Sequence, residues 1–154
     1  MIVDRAHHLA RTGLEEARRA IGMLRDDDLP GPDRLAALAA QFARDQAVPC
    51  DFTVTGEPHP LGSQARLALY RVAQEGLTNV TKHASPTRVS LRLAYESTAT
   101  RLIVEDFAAR PPVIPDKTDG YGLTGMRERA ELLGGTLRAG ATGHGFRVEL
   151  AVPP

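Results

Sequence analysis

The chain has 154 residues, of which 42% are hydrophobic and 25% are charged, and its 19 basic residues balance 19 acidic ones. This size and composition predict one soluble globular domain with a real core and room for an appendage. The balanced charge disfavours bulk nucleic-acid binding, and no apolar run approaches the ~20 residues that cross a bilayer. The single cysteine, Cys50, excludes an internal disulfide, is typical of a reducing cytoplasm and is interpreted as a small apolar filler.

The first segment, residues 2–26, is predicted to form one helix, because apolar or small side chains recur at alternating steps of four and three. This heptad spacing is typical of a helix that packs against a partner helix, although the same side chains could instead pack on this chain's own body. A run of aspartates, prolines and a glycine over 26–32 punctuates the helix end. The predicted domains are therefore 1–28 and 29–154. The series comprises Val3, His7, Ala10, Leu14, Ala17, Ile21 and Leu24.

The remaining sequence mixes helical and strand patterns. Helices are predicted over 33–47, 63–84 and 123–133, with Ser63 as the N-cap of the second and Gly134 as a C-cap signal for the third. Strands are predicted over 51–55, 88–95, 100–106, 136–139 and 146–152, with the second and third as antiparallel neighbours. Prolines exclude regular structure from much of 107–119. This order predicts an α+β two-layer sandwich with helices on one face of a mixed, mostly antiparallel sheet.

The helix over 63–84 carries a polar set beside its apolar stripe. At 100° per residue, Glu75, Asn79 and Lys82 fall within about 60° of one another, at the edge of the core. An amide oxygen can hold Mg²⁺, a carboxylate can orient water, and an ammonium can neutralise phosphate. The set predicts a phosphate–magnesium cluster, with solvated surface pairs among the same residues as the alternative. The apolar stripe consists of Leu69, Val72, Ala73, Gly76, Leu77, Val80 and Ala84.

Two further patterns favour a nucleotide ligand. Asp106 closes an apolar strand, where its carboxylate could receive an adenine amino group or simply initiate a turn. A glycine-punctuated run opens the helix predicted over 123–133, and backbone amides in such loops can cradle phosphate, with a tight ligand-free loop as the alternative. Gly143 and Gly145 precede the last strand and are also compatible with a plain hairpin turn. The run consists of Gly120, Tyr121, Gly122, Leu123, Thr124, Gly125 and Met126.

In this order, the blocks resemble the ATP-binding catalytic domain of two-component sensor histidine kinases, in the superfamily shared with gyrase, MutL-type and Hsp90-type ATPases. Residues 74–84 look like the family's N box, the run over 120–126 looks like its second glycine box, and residues 143–153 look like its terminal glycine–strand–proline element. The details favour the nitrate-sensor-type subfamily. The resemblance covers about 31–154, and residues 13–25 look like the second helix of that subfamily's dimerisation hairpin.

The resemblance implies a Bergerat-type ATPase fold that binds ATP and Mg²⁺. Asn79 would hold the metal, and Glu75 would act near the γ-phosphate. Lys82 and His83 would contact phosphate. Asp106 would bind adenine.

The resemblance also assigns the glycine-rich segments. The run over 120–126 would line the flexible ATP lid, and Gly145 would complete the nucleotide site. The kinase would transfer the γ-phosphoryl group to a histidine, for relay to a response regulator. The implied partners are the dimerisation helices of a homodimeric full-length kinase, and the implied location is cytoplasmic, including the cytoplasmic part of a membrane-bound kinase.

Two departures from the family pattern define the alternatives. The first glycine box usually reads Asp-x-Gly-x-Gly, whereas Ala108 and Arg110 replace both glycines here, which favours weaker nucleotide binding. A degenerate, non-catalytic module of the same fold is therefore one alternative, and a serine kinase of the anti-sigma-factor type is another. No phosphoacceptor block is recognised, and neither His7 nor His8 is assigned as acceptor. We expect the chain to be the C-terminal piece of a longer kinase that does not autophosphorylate by itself.

Overall fold

The computed structural model describes residues 29–108 and 123–154, and the helix predicted over 2–26 lies outside the described residues. Helices and strands follow one another in the predicted order. After a 3-10 turn at Pro32–Arg34, the elements are α1 (Leu35–Gln46), β1 (Cys50–Thr55), α2 (Ser63–His83), β2 (Arg88–Tyr95), β3 (Thr100–Phe107), α3 (Leu123–Leu132), β4 (Thr136–Ala141) and β5 (Phe146–Val152).

The strands of the described chain form one five-stranded sheet in the order β1-β2-β3-β5-β4. β1 and β2 run parallel, and every other neighbouring pair is antiparallel. α1 packs on β1, α2 packs on β3 and β5, and α3 packs on β4 and β5. Because the buried side chains of all three helices and of one sheet face belong to one core, the predicted two-layer α+β sandwich with a mostly antiparallel sheet is confirmed.

Alternation along the strands separates a covered face of the sheet from an open face. In β3, Leu102, Val104 and Asp106 point to the helices, while Ile103 and Glu105 point to the open face. The apolar stripe predicted on α2 is buried against the covered face, except that Ala84, just past the helix end, is only partly buried. Full burial of each aliphatic side chain contributes about 1.5–3 kcal/mol to folding.

The boundaries of α2 differ from the prediction at its start. Ser63 is not the N-cap but the first helical residue, and its side chain makes no capping bond. Gly62 takes the cap position, because its extended backbone lets its carbonyl accept the first helical hydrogen bond, from the Arg66 amide at 3.0 Å. The C-cap signal after α3 is confirmed, since Gly134 adopts a positive φ of 77°.

α2 is 21 residues long, but it carries charged side chains such as Arg71, Glu75 and Lys82 beside its apolar stripe. Within 29–108 and 123–154, no helix combines the length and the apolar character that a bilayer crossing requires.

Candidate functional site

The C-terminal ends of α2 and β3 lie at the same edge of the sandwich. A short connection joins α2 to β2, and β2 begins with Arg88 opposite Phe107, the last residue of β3. The Thr87 amide donates to the Phe107 carbonyl at 2.7 Å and fixes this corner. The last turns of α2, which carry Asn79, therefore lie at the edge of the sheet where β3 presents Asp106.

A glycine allows α2 to approach β3 closely. A Cβ atom on Gly76 would lie 3.1–3.2 Å from the side chain of Val104. Asn79 follows Gly76 by three residues, or about 4.5 Å along the helix axis. Because the helix is held close to the sheet here, Asn79 is only 6% exposed.

The predicted polar set on α2 is graded in exposure. Asn79 is buried, Glu75 is half-buried, and Lys82 and His83 are exposed at the helix end. A buried amide is not a member of a solvated surface pair, so that alternative is wrong for Asn79. The set thus extends from an amide inside the domain to a lysine and a histidine at its surface.

Asp106 lies on the covered face of β3, one residue before the strand ends. It is 3% exposed, pairs with Val89, and accepts a hydrogen bond from the Phe146 amide at 3.3 Å. Its position inside the ladder rules out the turn-initiating role. Burial raises the pKa of this carboxyl above its usual range, the Phe146 hydrogen bond opposes that rise, and the neighbouring Glu105 charge adds to it.

Gly145, the residue just before β5, lies against Asp106. A Cβ atom on Gly145 would collide with the carbonyl oxygen of Asp106 and with its carboxylate. A Cβ atom on Gly143 would meet nothing within 4 Å. The two glycines before β5 therefore differ, and at residue 145 a side chain would occupy the space that the aspartate fills.

The glycine-rich run lies only partly within the described chain. Gly120, Tyr121 and Gly122 lie outside the described residues. The first turns of α3 bury Leu123 and Met126 and leave Thr124 and Gly125 exposed. A cleft of about 260 Å³ separates this part of α3 from α2, and it is lined by Arg71, Gln74, Glu75, Gly125, Met126 and Arg129.

Two curated proteins similar in sequence to this chain are both histidine kinases. No protein-family model matches the chain. The histidine-protein kinase/phosphatase UhpB of Salmonella typhimurium is 34% identical over 145 residues, which cover 90% of this chain and 28% of that protein. The sensor histidine kinase LnrJ of Bacillus subtilis is 29% identical over 84% of this chain and 32% of its own length. This chain is homologous to the sensor histidine kinases.

Solved histidine kinases share the fold. The blue-light activated histidine kinase of Erythrobacter litoralis matches 80% of this chain and 42% of its own length, with a TM-score of 0.64 and 22% identity. The catalytic domain of the histidine kinase ThkA matches 79% of this chain and 88% of its own length, with a TM-score of 0.57 and 17% identity. The resemblance drawn from the sequence motifs is confirmed. The chain spans about a third or less of the length of the curated relatives UhpB and LnrJ.

Sequence reasoning missed three residues beside Asp106. Glu105 is 5% exposed although it lies on the open face. Its carboxylate accepts hydrogen bonds from His144 at 3.1 Å and from Arg147 at 3.1 Å. The acidic pair at 105 and 106 was visible in sequence, but the pairing of Glu105 with Arg147 depends on the register between β3 and β5.

A magnesium ion fits the donor chemistry of Asn79 but not a dedicated protein cage. In the described ranges, no group of three or more histidine, cysteine, aspartate or glutamate side chains could hold a metal. Mg²⁺ in kinase sites commonly keeps several waters and takes few protein oxygens besides those of the substrate phosphates. A single buried amide oxygen is compatible with that kind of site.

Proposed function

We propose that residues 29–154 are the ATP-binding catalytic domain of a sensor histidine kinase, and that residues 1–28 are the end of its dimerisation hairpin. The domain would transfer the γ-phosphoryl group of ATP to a histidine that these 154 residues do not supply. A response regulator would receive the group next. Homology to histidine-protein kinases over 90% of the chain supports this assignment.

The observation that carries the proposal is the pair of buried polar side chains, Asn79 and Asp106, at one end of the sandwich. A site that hydrogen-bonds one particular group of its ligand discriminates strongly against analogues that lack that group. The Phe146 hydrogen bond uses one of the roughly four lone-pair positions on an ionised carboxylate. Asp106 would accept a hydrogen bond from the exocyclic amino group of adenine, where guanine presents an oxygen.

The phosphate end of the nucleotide would lie along the exposed part of α2. Asn79 would offer its amide oxygen to Mg²⁺, which supplies charge neutralisation to the phosphates when bound. Glu75 would orient the reacting groups near the γ-phosphate, and Lys82 and His83 would contact phosphate oxygens from the helix end. Phosphoryl transfer depends mainly on positioning and electrostatic stabilisation, which these side chains can provide.

The lid role of the run over 120–126 belongs to the same proposal. The cleft of about 260 Å³ between α2 and α3 lies beside the described end of this run, at Leu123–Met126. Glu75 lines one side of the cleft and Gly125 lines the other. This arrangement supports a phosphate chain that runs from Asp106 past Asn79 towards α3.

Calorimetric titration with a non-hydrolysable ATP analogue, with and without Mg²⁺, tests the proposal. We expect binding that strengthens with Mg²⁺ in the parent chain and loses its Mg²⁺ dependence in Asn79→Ala. Gln41→Ala is the matched control, because it removes an exposed amide on α1. Absence of binding at millimolar analogue would contradict the proposal.

A degenerate module of the same fold is the second candidate, and Ala108 and Arg110 favour it. The Ala108 amide donates to the His144 carbonyl at 2.8 Å, so the chain at residue 108 follows β3 closely. If the parent chain does not bind the analogue, the double substitution Ala108→Gly and Arg110→Gly distinguishes the two origins of the loss. Recovered binding identifies a degenerate loop on an intact site, and continued absence identifies an interaction module.

A further inference from the structure

The open face of the sheet carries a polar cluster, centred on the buried carboxylate of Glu105, directly behind Asp106. Glu105 is the neighbour of Asp106 on β3 and points to the opposite face. Its carboxylate lies 3.1 Å from His144 Nε2 and 3.1 Å from Arg147 Nη2. Arg147 Nε contacts the same oxygen, Oε1, at 3.3 Å, and Arg147 Nη2 also contacts Oε2 at 3.4 Å. Hydrogen bonds between charged groups are stronger and more directional than neutral ones.

His144 is held by more than the Glu105 carboxylate. The His144 ring stacks on Phe107 with centroids 4.6 Å apart and planes 8° apart. The His144 carbonyl accepts a hydrogen bond from the Ala108 amide at 2.8 Å. Residue 144 is therefore fixed to the end of β3 through its side chain and its backbone.

The backbone between these two partners is the part that contacts Asp106. Gly145 lies against the Asp106 carbonyl and carboxylate, and the Phe146 amide donates to Asp106 Oδ1 at 3.3 Å. His144 and Arg147 are the residues on either side of this two-residue segment. Two consecutive residues of β3 thus hold the same segment from opposite faces of the sheet. Glu105 contacts the side chains of His144 and Arg147, and Asp106 contacts the backbone of Gly145 and Phe146.

We propose that Glu105 is a positioning residue for base recognition: its contacts with His144 and Arg147 fix the Gly145–Phe146 backbone, which orients the Asp106 carboxylate towards the purine amino group. The inference rests on the proposed nucleotide site at Asp106. Glu105 touches no nucleotide, because it lies on the face that the helices do not cover. Its effect is transmitted through the Phe146 amide.

The test compares two nucleotides that differ only at the purine amino group. Magnesium-dependent affinities for ATP and for purine riboside triphosphate, which lacks that group, are measured for the parent chain, Glu105→Gln and Glu105→Ala. We expect Glu105→Ala to weaken ATP binding about tenfold and to change purine riboside triphosphate binding less than about twofold, since one oriented hydrogen bond is lost. Glu105→Gln, which keeps an acceptor oxygen for Arg147, should fall between the parent chain and Glu105→Ala.

The matched control is Glu149→Gln. Glu149 lies on the same open face in β5 and pairs with Arg101 at 3.6 Å, away from the Gly145–Phe146 segment. This variant should bind both nucleotides as the parent chain does.

Equal weakening of both nucleotides in Glu105→Ala would overturn the inference, because a merely structural role predicts that result. Unchanged ATP affinity would overturn it as well. Absence of ATP binding in the parent chain would overturn the proposed function and this inference together, which separates that failure from the other two.

If Glu105→Ala does not fold, Glu105→Gln is compared with the parent chain by hydrogen exchange. The exchange rate of each amide in Glu105→Gln is divided by its rate in the parent chain. A larger increase at the Phe146 amide than at the Leu150 amide supports the inference, and equal increases overturn it.

Discussion

Gly76 on α2 lies against Val104 on β3, and a Cβ atom at residue 76 would lie 3.1 Å from Val104 Cγ1. This close approach fixes the depth at which the following turn of α2 is buried. Asn79 belongs to that turn and is 6% exposed. A glycine in the middle of a helix costs about 0.5–1 kcal/mol relative to alanine, so the sequence gives up helix stability here to bring the helix close to the sheet.

Substitution Gly76→Ala is expected to destabilise the domain. The added methyl group must displace Val104 by a few tenths of an ångström, and overpacking of about 1–3 kcal/mol outweighs a gain in helix propensity of about 1 kcal/mol. We expect a net loss of about 1 kcal/mol in the free energy of unfolding by urea denaturation. Gly125→Ala in α3 is the control, because its Cβ would meet nothing within 4 Å. It should be neutral or stabilising, and equal stabilisation by both variants would contradict the packing argument.

Substitution Gly145→Ala is expected to damage both stability and nucleotide binding. The methyl group would occupy the space of the Asp106 carbonyl and carboxylate oxygens, and this clash is expected to cost about 2–3 kcal/mol of unfolding free energy. The affinity for ATP should fall at least about tenfold at temperatures where the variant stays folded. Gly143→Ala should remain within about 0.5 kcal/mol of the parent chain. A Gly145→Ala variant as stable as Gly143→Ala would show that the contact is not tight in solution.

Substitution Asp106→Asn is expected to reduce ATP affinity about tenfold or more without a loss of stability at neutral pH. Burial raises the pKa of Asp106 in the folded state, so the stability contributed by its protonated form is present below the unfolded pKa and is lost as pH rises through the folded pKa. Asparagine does not titrate. Its stability relative to aspartate should therefore be greater at about pH 7 than at about pH 4.

Urea denaturation of both chains at the two pH values measures this difference. A relative stability of Asp106→Asn that grows as pH falls would contradict the raised pKa. Preserved ATP affinity in this variant would instead contradict the assignment of Asp106 as the base-recognition residue.

Cys50 is expected to react slowly with thiol reagents. Burial, with the Asp51 charge second, raises the pKa of its thiol from 9.0 to about 11. Because only the thiolate reacts, alkylation by iodoacetamide at about pH 8 should be roughly a hundredfold slower than for a thiol with the unperturbed pKa. Mass spectrometry over time measures the rate. Asp51→Asn should accelerate the reaction slightly, and alkylation as fast as that of a small free thiol would contradict the prediction.

Much of the fold could be predicted from local pattern. The apolar stripe of α2, the alternation in β2 and β3 and the glycine signal after α3 all depend on residues close in sequence, and each is confirmed. The predicted N-cap of α2 was wrong because Ser63 and Gly62 are adjacent and both residue types are compatible with the cap position. Propensity does not distinguish which of them provides the first helical carbonyl.

The sequence by itself determined which side chains are available for a nucleotide site: an amide and a carboxylate on one helix, an aspartate near the end of a strand, and glycines before a helix and a strand. Only the tertiary structure decided which of them are buried together. The depth of Asn79 depends on the Gly76–Val104 contact, and the surroundings of Asp106 depend on the register that brings β5 beside β3. Glu105 gained its partners by the same register, because strand pairing joins residues about 40 positions apart, a distance over which local periodicity carries no information.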